Sequence, residues 1–300
     1  MPSPKAHLIE TIDVACTLGE SILFRQSDST VWWTDDDTQK LYRLGWPGLS
    51  LQIFSLPERA GSIALVEGSE DWILVAFETG FALFAPASGD VRWLYILHTL
   101  GVGLRMNDGR VEPAGRFVAS SMAETKTLRE GPPLGAFYRL DPNGETYQVL
   151  GDLIVPNGLC WSPSGDTIYY ADSITRSIYR ANYNLQTGTA SEPNLIKKIE
   201  TGPPDGAVTD QYGRIWSALW GAGCIGVLDA DLNMLNEVNI DAPNPTCPCF
   251  GGEDSALLFV TSARKGMTLD ETTTHPTAGS VFIFETGTTG TATKAAEVTV

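Results

Sequence analysis

Short runs of apolar and β-branched residues alternate with polar breaks along the chain, and no long helical period interrupts them. Each run is followed, after a break rich in Gly, Pro, Asn and Asp, by a second run that can pair with it as a β-hairpin. Six such pairs recur at intervals of roughly 43–50 residues, as expected for propeller blades of four strands. The paired runs are 31–33 with 40–43, 72–75 with 80–84, 117–120 with 136–139, 168–170 with 177–180, 215–218 with 225–228, and 257–260 with 281–284. The sequence therefore predicts an all-β fold, a six-bladed β-propeller that occupies residues 1–300 as a single domain. We expect the Thr- and Gly-rich segment Thr286–Thr293 to form a final turn before a closing strand.

The amino-acid composition argues against two classes of binding partner. The formal net charge of −16 argues against nucleic acid and anionic membrane surfaces, because phosphate binding requires clustered Lys and Arg. Residues 1–20 have no basic segment followed by an apolar one, and no apolar run is long enough to span a bilayer. The odd number of cysteines, five without regular spacing, fits a reducing compartment. We expect a cytoplasmic protein with no nucleic-acid or membrane partner.

Three motifs place an oxygen-bearing side chain directly before a glycine at equivalent points of the repeat. They are Asn107-Asp108-Gly109, Asn157-Gly158 and Asp205-Gly206, and a Pro precedes the last two. An isolated pair of this kind indicates a tight turn, but equivalent positions of a radial repeat point at one shared axis. Glu20, just before the apolar run 21–24, is a fourth candidate. Carboxylate and carboxamide oxygens suit a hard or borderline divalent cation, so the sequence predicts a metal site at the central channel.

Two catalytic motifs are disfavoured. A Ser-His-Asp triad requires a histidine beside a Gly-X-Ser-X-Gly elbow, which does not occur, and the histidines are few: His7, His98 and His275. Residues 221–226 match the dinucleotide fingerprint, but a helix should follow, and residues 227–229 continue as a strand. We therefore interpret 221–226 as a blade turn.

Two further clusters have structural interpretations. The Cys247-Pro248-Cys249 segment lacks the second Cys or His pair that a tetrahedral metal site needs, so both cysteines are expected to be buried near the axis. The run Asp35-Asp36-Asp37 lacks the glycine and the spaced carboxylates of a calcium loop. It is interpreted as a solvated turn.

Several segments spread over nearly the whole chain carry more specific motifs: 18–20, 105–116, 156–162, 170–173, 204–206, 249–252, 261–267 and 278–282. These segments resemble the family that includes senescence marker protein (regucalcin), gluconolactonase and related sugar lactonases, which are six-bladed propellers. The resemblance implies that one divalent metal ion, Ca, Zn, Mg, Mn or Fe, is bound by Glu20, Asn157 and Asp205. It also implies that Asp205 is the acid/base group and that Arg105 and Asn107 hold the substrate.

The sequence departs from the family pattern at two points. The family usually has Gly-Pro after the first metal-binding glutamate, whereas Ser21 and Ile22 follow Glu20, so the first loop can differ in shape. An acidic residue after Met122-Ala123 often contributes to substrate binding, and Glu124 occupies this position. Because Thr125 follows Glu124, the sequence does not decide which position in this segment reaches the pocket.

The expected reaction is hydrolysis of a sugar (aldono-) lactone to the sugar acid. A metal with only three protein ligands keeps open positions and can polarise the lactone carbonyl, while Asp205 moves the proton from water to the ring oxygen. Arg105 and Asn107 suit a polyhydroxylated substrate better than an apolar one. The alternatives are a propeller phosphotriesterase or aryl esterase and a non-catalytic metal-binding scaffold.

Overall fold

The computed structural model of the protein describes residues 5–97 and 103–299; His98 lies outside these ranges. Within them the chain forms six antiparallel sheets arranged as a six-bladed β-propeller. Strand β1, Ala6–Ile12, comes first. Blade 1 contains β2 to β5, at Gly19–Arg25, Thr30–Asp35, Lys40–Gly45 and Ser50–Ser55. Blade 2 contains β6 to β9, at Ala60–Val66, Ser69–Phe77, Gly80–Ala85 and Asp90–Ile96. The fold that the sequence pattern predicted is confirmed.

The other four blades follow the same plan. Blade 3 contains β10 to β13, at Leu104–Val111, Phe117–Ala123, Gly135–Leu140 and Thr146–Leu153, with helix α1, Lys126–Arg129, between its second and third strands. Blade 4 contains β14 to β18, at Pro156–Trp161, Thr167–Asp172, Ser177–Asn184, Thr189–Ala190 and Leu195–Lys198; the last two both pair with β16. Blade 5 contains β19 to β22, at Pro204–Thr209, Ile215–Leu219, Cys224–Leu228 and Met234–Asn239. Blade 6 contains β23 to β25, at Pro245–Gly251, Leu257–Ser262 and Val281–Thr286, with a 3-10 helix at Glu253–Ser255 and helix α2 at Leu269–Thr274.

The ring is closed by the first strand. β1 pairs antiparallel with β25, so that Ala6 lies opposite Thr286 and Ile12 opposite Val281. The prediction that the segment Thr286–Thr293 leads into a closing strand is wrong, because the outer strand of blade 6 comes from the beginning of the chain. Pairing the two ends of the chain in one sheet ties blade 6 to the segment that leads into blade 1.

The C-terminal segment instead crosses one end of the central channel. Thr291 Oγ1 donates to the Thr209 carbonyl in blade 5, and the Phe24 N–H of blade 1 donates to Thr293 Oγ1. The N–H of Ala296 donates to the Leu65 carbonyl in blade 2. A cavity of about 280 Å³ lies between this segment and the inner strands and is lined by Arg110, Cys247 and Cys249, among others. Both cysteines are buried, as predicted, and all five cysteines of the chain are free thiols.

The hydrophobic core lies between neighbouring blades. Phe81 of blade 2 and Phe117 of blade 3 are fully buried with their ring centroids 5.8 Å apart, and Trp216 packs edge-on against Phe250 across blades 5 and 6. Burying such a side chain stabilises the fold by roughly 1.5–3 kcal/mol. The core therefore fills the spaces between blades, and the polar side chains described below lie at one end of the channel. Neither α1 nor α2, nor any other helix in 5–97 and 103–299, has the length and apolar character needed to cross a membrane.

Candidate active site

The innermost strand of every blade is interrupted by a β-bulge near its start. The register shifts lie at Glu20/Leu23, Ala60/Ser62, Met106/Gly109, Asn157/Cys160, Pro204/Ala207 and Pro245/Pro248. A bulge bends its strand and changes the direction of the neighbouring side chains. The three motifs predicted to be equivalent therefore do occupy equivalent points, and they are bulges within strands rather than hairpin turns.

Close packing at the axis explains the glycines of these motifs. Gly158 has a φ of 63°, and a Cβ there would lie 2.8 Å from the Asp205 carbonyl oxygen. A Cβ on Gly206 would lie 2.8 Å from the Thr246 carbonyl oxygen. In blade 1 the left-handed position is taken by Ser21, with a φ of 52°. The Ser21 hydroxyl accepts a hydrogen bond of 2.8 Å from the Ile63 N–H, so the departure from the family pattern joins blade 1 to blade 2.

A cavity of about 800 Å³ lies at the end of the channel where the inner strands begin, away from the C-terminal segment. It brings together every site residue that the sequence predicted: Glu20, Arg105, Asn107, Glu124, Asn157 and Asp205. Glu124 lines the pocket, so this position of the segment after Met122-Ala123 does reach it. The wall also has an apolar part, made by Leu18, Met122, Val155, Trp220 and Met267.

Glu20 and Asp205 form an electrostatically strained pair. Burial raises the pKa of Glu20 well above its usual range, and repulsion by Asp205, Asp108 and Asp36 raises it further. Burial likewise raises the pKa of Asp205, with Asp108 adding repulsion. No side chain in the described part of the chain donates a hydrogen bond to either carboxylate. Carboxylates crowded in this way are stabilised by a bound cation.

This donor set fits a divalent metal ion. Asn157 Oδ1 accepts one hydrogen bond, from Asn107 Nδ2, and keeps its second lone pair for another partner. Two carboxylates and one carboxamide oxygen are ligands that hard cations prefer. Within 5–97 and 103–299, no group of three or more His, Cys, Asp and Glu side chains is arranged for metal binding. The predicted set contains only two such side chains, with Asn157 as the third donor, so the ligand assignment stays a prediction.

A chain of hydrogen bonds connects the predicted substrate residues to the predicted ligands. Asn107 Nδ2 donates to Asn157 Oδ1 at 2.7 Å and to the Pro156 carbonyl at 3.1 Å. Asn157 Nδ2 donates to Ser173 Oγ at 2.9 Å, and this hydroxyl donates to the Pro204 carbonyl at 2.7 Å. This series of hydrogen bonds thus runs from Asn107 in blade 3 to Pro204, the residue before Asp205. It holds the Asn157 amide with its oxygen toward Asn107.

Six charged side chains form a second network at the cavity rim, here called the rim network: Asp36, Asp37, Arg59, Arg105, Glu124 and Lys265. Arg59 Nη2 lies 3.0 Å from both Asp36 Oδ2 and Asp37 Oδ1, and its Nη1 pairs with Glu124. Burial opposes ionisation of Glu124, but the hydrogen bonds and the charges of Arg59 and Arg105 together outweigh it, and the pKa of Glu124 is lowered. Glu124 is therefore an anion fixed by its neighbours.

Arg105 is more engaged within the protein than the sequence suggested. Its Nη2 lies 3.0 Å from Asp36 Oδ2, and its Nε donates to Glu124 Oε1 at 3.2 Å. Its Nη1 donates to the Met106 carbonyl at 2.7 Å and to Asn107 Oδ1 at 3.3 Å. One N–H on Nη2 keeps no partner among the described residues. Arg105 thus orients Asn107 and Glu124 in addition to facing the cavity.

The interpretation of Asp35-Asp36-Asp37 as a solvated turn is wrong. Asp35 and Asp36 are buried. Asp35 accepts hydrogen bonds from the Thr17 and Leu18 N–H groups, both at 2.9 Å, while Asp36 belongs to the rim network. The carboxylates are buried because each has fixed donors.

The burial of Asp35 could have been predicted from the repeat, because an aspartate occupies the equivalent position of blade 4. Asp172 ends the second strand of blade 4, as Asp35 ends that of blade 1, and it accepts from the Ile154 and Val155 N–H groups. Both aspartates anchor the loop that leads into an inner strand. Residues 221–223 lie in the turn between β20 and β21, as predicted, whereas residues 224–226 already belong to β21. His275 lines the cavity, but no Ser in the described chain is hydrogen-bonded to it.

Known proteins with similar sequences and folds support the resemblance. Residues 18–264 match the family model described as SMP-30/gluconolactonase/LRE-like region. The 6-deoxy-6-sulfogluconolactonase of Pseudomonas putida is 31% identical over 268 residues, which cover 88% of this chain and 90% of that protein. The L-arabinolactonase of Azospirillum brasilense is 30% identical over 296 residues, or 97% and 95% of the two chains. The structure of regucalcin from Agrobacterium tumefaciens, described as a calcium-binding protein, superposes with a TM-score of 0.87 at 26% identity and covers 96% of this chain and 97% of its own. The chain belongs to the SMP-30/gluconolactonase/LRE-like family.

Proposed function

We propose that this protein is a metal-dependent lactonase that hydrolyses a sugar lactone to the corresponding sugar acid. The observation that carries the proposal is the convergence of two sets of side chains on one cavity of about 800 Å³. One set suits a cation and the other suits hydroxyl groups. The lactonase names of the Pseudomonas and Azospirillum relatives support the reaction class. These two names specify different sugars, so the choice of sugar needs its own test.

Glu20, Asn157 and Asp205 would hold the metal ion. Their oxygens are compatible with calcium, zinc, magnesium, manganese or iron, and the description of the Agrobacterium regucalcin as calcium-binding supports a divalent ion. When bound, the ion would act as a Lewis acid on the lactone carbonyl. Asn107 and Ser173 fix the amide of Asn157 from both sides, which keeps the donor set in place before substrate arrives.

Asp205 is the proposed acid/base group. Its carboxylate takes a proton from a water molecule that attacks the lactone carbonyl carbon. The bond between this carbon and the ring oxygen then breaks, and the same proton passes to the ring oxygen to form a hydroxyl. One water molecule is consumed and one hydroxy acid is released. Support comes from the position of Asp205 in the cavity wall, with no basic side chain bonded to it among the described residues.

The other side of the cavity would bind the sugar hydroxyls. Glu124 uses Oε1 for Arg59 and Arg105, which leaves Oε2 to accept from a hydroxyl. Arg105 has one Nη2–H to donate. A substrate without matching hydroxyls would leave these polar groups unpaired, which weakens binding strongly. The pattern favours a polyhydroxylated lactone.

A second candidate is hydrolysis of aryl esters or phosphotriesters. The observation in its favour is the apolar part of the wall, where Met122, Trp220 and Met267 lie. An aromatic leaving group could pack there. The same side chains can also pack against the apolar face of a sugar ring, so the wall alone does not separate the two reactions.

A pH-indicator assay tests the proposal. Pentono- and hexonolactones, an aryl ester and a phosphotriester are compared with the metal-loaded protein and with a chelated preparation whose metal content is measured. We expect lactone hydrolysis that disappears on chelation and returns with divalent ions. Full activity in a verified metal-free preparation would contradict the mechanism. Turnover of only the aryl ester or phosphotriester supports the second candidate, and no turnover of any substrate indicates a binding scaffold.

A further inference from the structure

One cation in the cavity wall has no ionic partner in the described part of the chain. Arg129 ends helix α1, in the connection that follows Glu124, and its side chain lines the cavity. Its Nε donates to the Ala123 carbonyl at 2.8 Å. This bond anchors the guanidinium at the base of the connection. None of the ion pairs formed within 5–97 and 103–299 includes the Nη atoms of Arg129.

The other charged side chains around the cavity already have bonding partners or an assigned role. The rim network contains three carboxylates and three cations, which neutralise one another. Glu20 and Asp205 are assigned to the metal ion. Glu271, the remaining carboxylate of the wall, accepts hydrogen bonds from the Thr268 N–H and hydroxyl. Arg129 is therefore a cation without a charged partner in the described chain, and it faces the substrate space.

The surroundings of Arg129 disfavour its charge. Burial lowers its pKa, repulsion by Arg105 lowers it further, and the opposing attraction of Glu124 is the smallest of the three effects. A half-buried guanidinium of this kind gains from an oxyanion placed against its Nη atoms, because charge-assisted and often bidentate hydrogen bonds then form.

We propose that Arg129 binds an anionic substituent of the substrate, so that the preferred lactones carry a carboxylate, sulfonate or phosphate at the end of the sugar away from the lactone carbonyl. The inference rests on the proposed lactonase function. The carbonyl end must reach Asp205 at the channel axis, and Arg129 stands at the rim beside Glu124. The distal end of a bound sugar therefore faces Arg129, and the anionic class follows from the charge of the guanidinium.

The test compares matched neutral and anionic substrates. Gluconolactone serves as the neutral substrate, glucarolactone supplies a distal carboxylate and 6-phosphogluconolactone a distal phosphate, and kcat/KM is measured for each. We expect the wild-type protein to prefer at least one anionic lactone. Arg129→Gln should reduce the ratio of anionic to neutral kcat/KM by roughly 10- to 100-fold, through KM, since a charged hydrogen-bond partner is lost. Arg129→Lys should keep part of the preference.

Lys126→Gln is the matched control. It removes the same charge from the same helix, but the Lys126 side chain is 88% exposed and does not line the cavity. The ratio should be unchanged in this variant. An equal fall in Lys126→Gln and Arg129→Gln would assign the preference to general charge attraction and overturn the inference. A wild-type protein that hydrolyses gluconolactone well without favouring either anionic lactone would also overturn it, while leaving the proposed function intact.

A binding measurement separates the two proposals if no lactone is hydrolysed. Calorimetry with 1,5-anhydroglucitol and with its 6-phosphate uses ligands that have no carbonyl to attack. Tighter binding of the phosphate that is lost in Arg129→Gln supports the role of Arg129 even without turnover. Equal affinity for the two compounds in the wild-type protein contradicts it.

Discussion

The side-chain amide of Asn107 donates a hydrogen bond of 2.7 Å to Asn157 Oδ1, so a residue assigned to the substrate orients one assigned to the metal. The bond crosses from blade 3 to blade 4 at their bulges. Losing a partner that orients a ligand typically weakens metal affinity by about 10- to 100-fold. The two functions assigned to these bulges are therefore expected to be coupled.

Asn107→Ala tests this coupling. We expect its dissociation constant for the metal to rise by about 10-fold, in addition to an increase in KM for the lactone. Titration calorimetry with the metal alone measures the first effect without turnover. Asn143→Ala, in the exposed turn before β13, is the control and should leave metal binding unchanged. Unaltered affinity in Asn107→Ala would restrict this residue to the substrate.

Arg105→Ala should affect both stability and activity. The variant leaves Asp36, which is 1% exposed, with Arg59 as its remaining cationic partner. We expect unfolding in urea to show a loss of about 2–3 kcal/mol, below the full cost of breaking a buried pair because Arg59 remains. The value of kcat/KM should fall for every sugar lactone, while metal affinity should persist because the ligands are untouched. An unchanged kcat/KM would show that Arg105 is structural only.

A double variant separates the two contributions of Arg105. Adding Asp36→Asn removes the buried negative charge, so at least about 1 kcal/mol of the lost stability should return. Activity should not return, because Glu124 and Asn107 still lack the Arg105 guanidinium. If activity recovered together with stability, the loss in Arg105→Ala would come from partial unfolding rather than from the site.

Ser21 is expected to show two opposing effects. Its φ of 52° costs a non-glycine residue about 1 kcal/mol, whereas its hydroxyl satisfies the buried Ile63 N–H. Both variants lose the hydrogen bond. Ser21→Ala keeps the backbone cost of the positive φ, whereas Ser21→Gly removes it. Unfolding in urea should therefore place Ser21→Ala about 1 kcal/mol below Ser21→Gly. Equal stability of the two variants would show that the backbone is not strained at this position.

The blades and the residues at the channel axis could be predicted from the sequence because each is marked by a local pattern that repeats. Paired apolar runs mark the hairpins, and an Asn or Asp before Gly marks three of the bulges. The rim network could not be predicted in this way. Arg59 and Asp36 belong to consecutive blades, and nothing in either local sequence indicates that they meet. The pairing of β1 with β25 joins residues almost the whole chain apart, and such long-range pairing has no local signal.

The last prediction concerns Asp205, which has two proposed roles. Asp205→Asn keeps the size and one oxygen but removes the charge and the ability to take a proton. Metal affinity should weaken because a carboxylate is the stronger ligand. At saturating metal, kcat should still fall by roughly 10²–10⁴-fold, the scale for losing a positioned acid/base group. The melting temperature should not fall, because removing one of the crowded carboxylates relieves repulsion on Glu20. If Asp205 were only a bulge residue before Gly206, Asn would serve equally well. Near-normal kcat at saturating metal would then remove Asp205 from the mechanism.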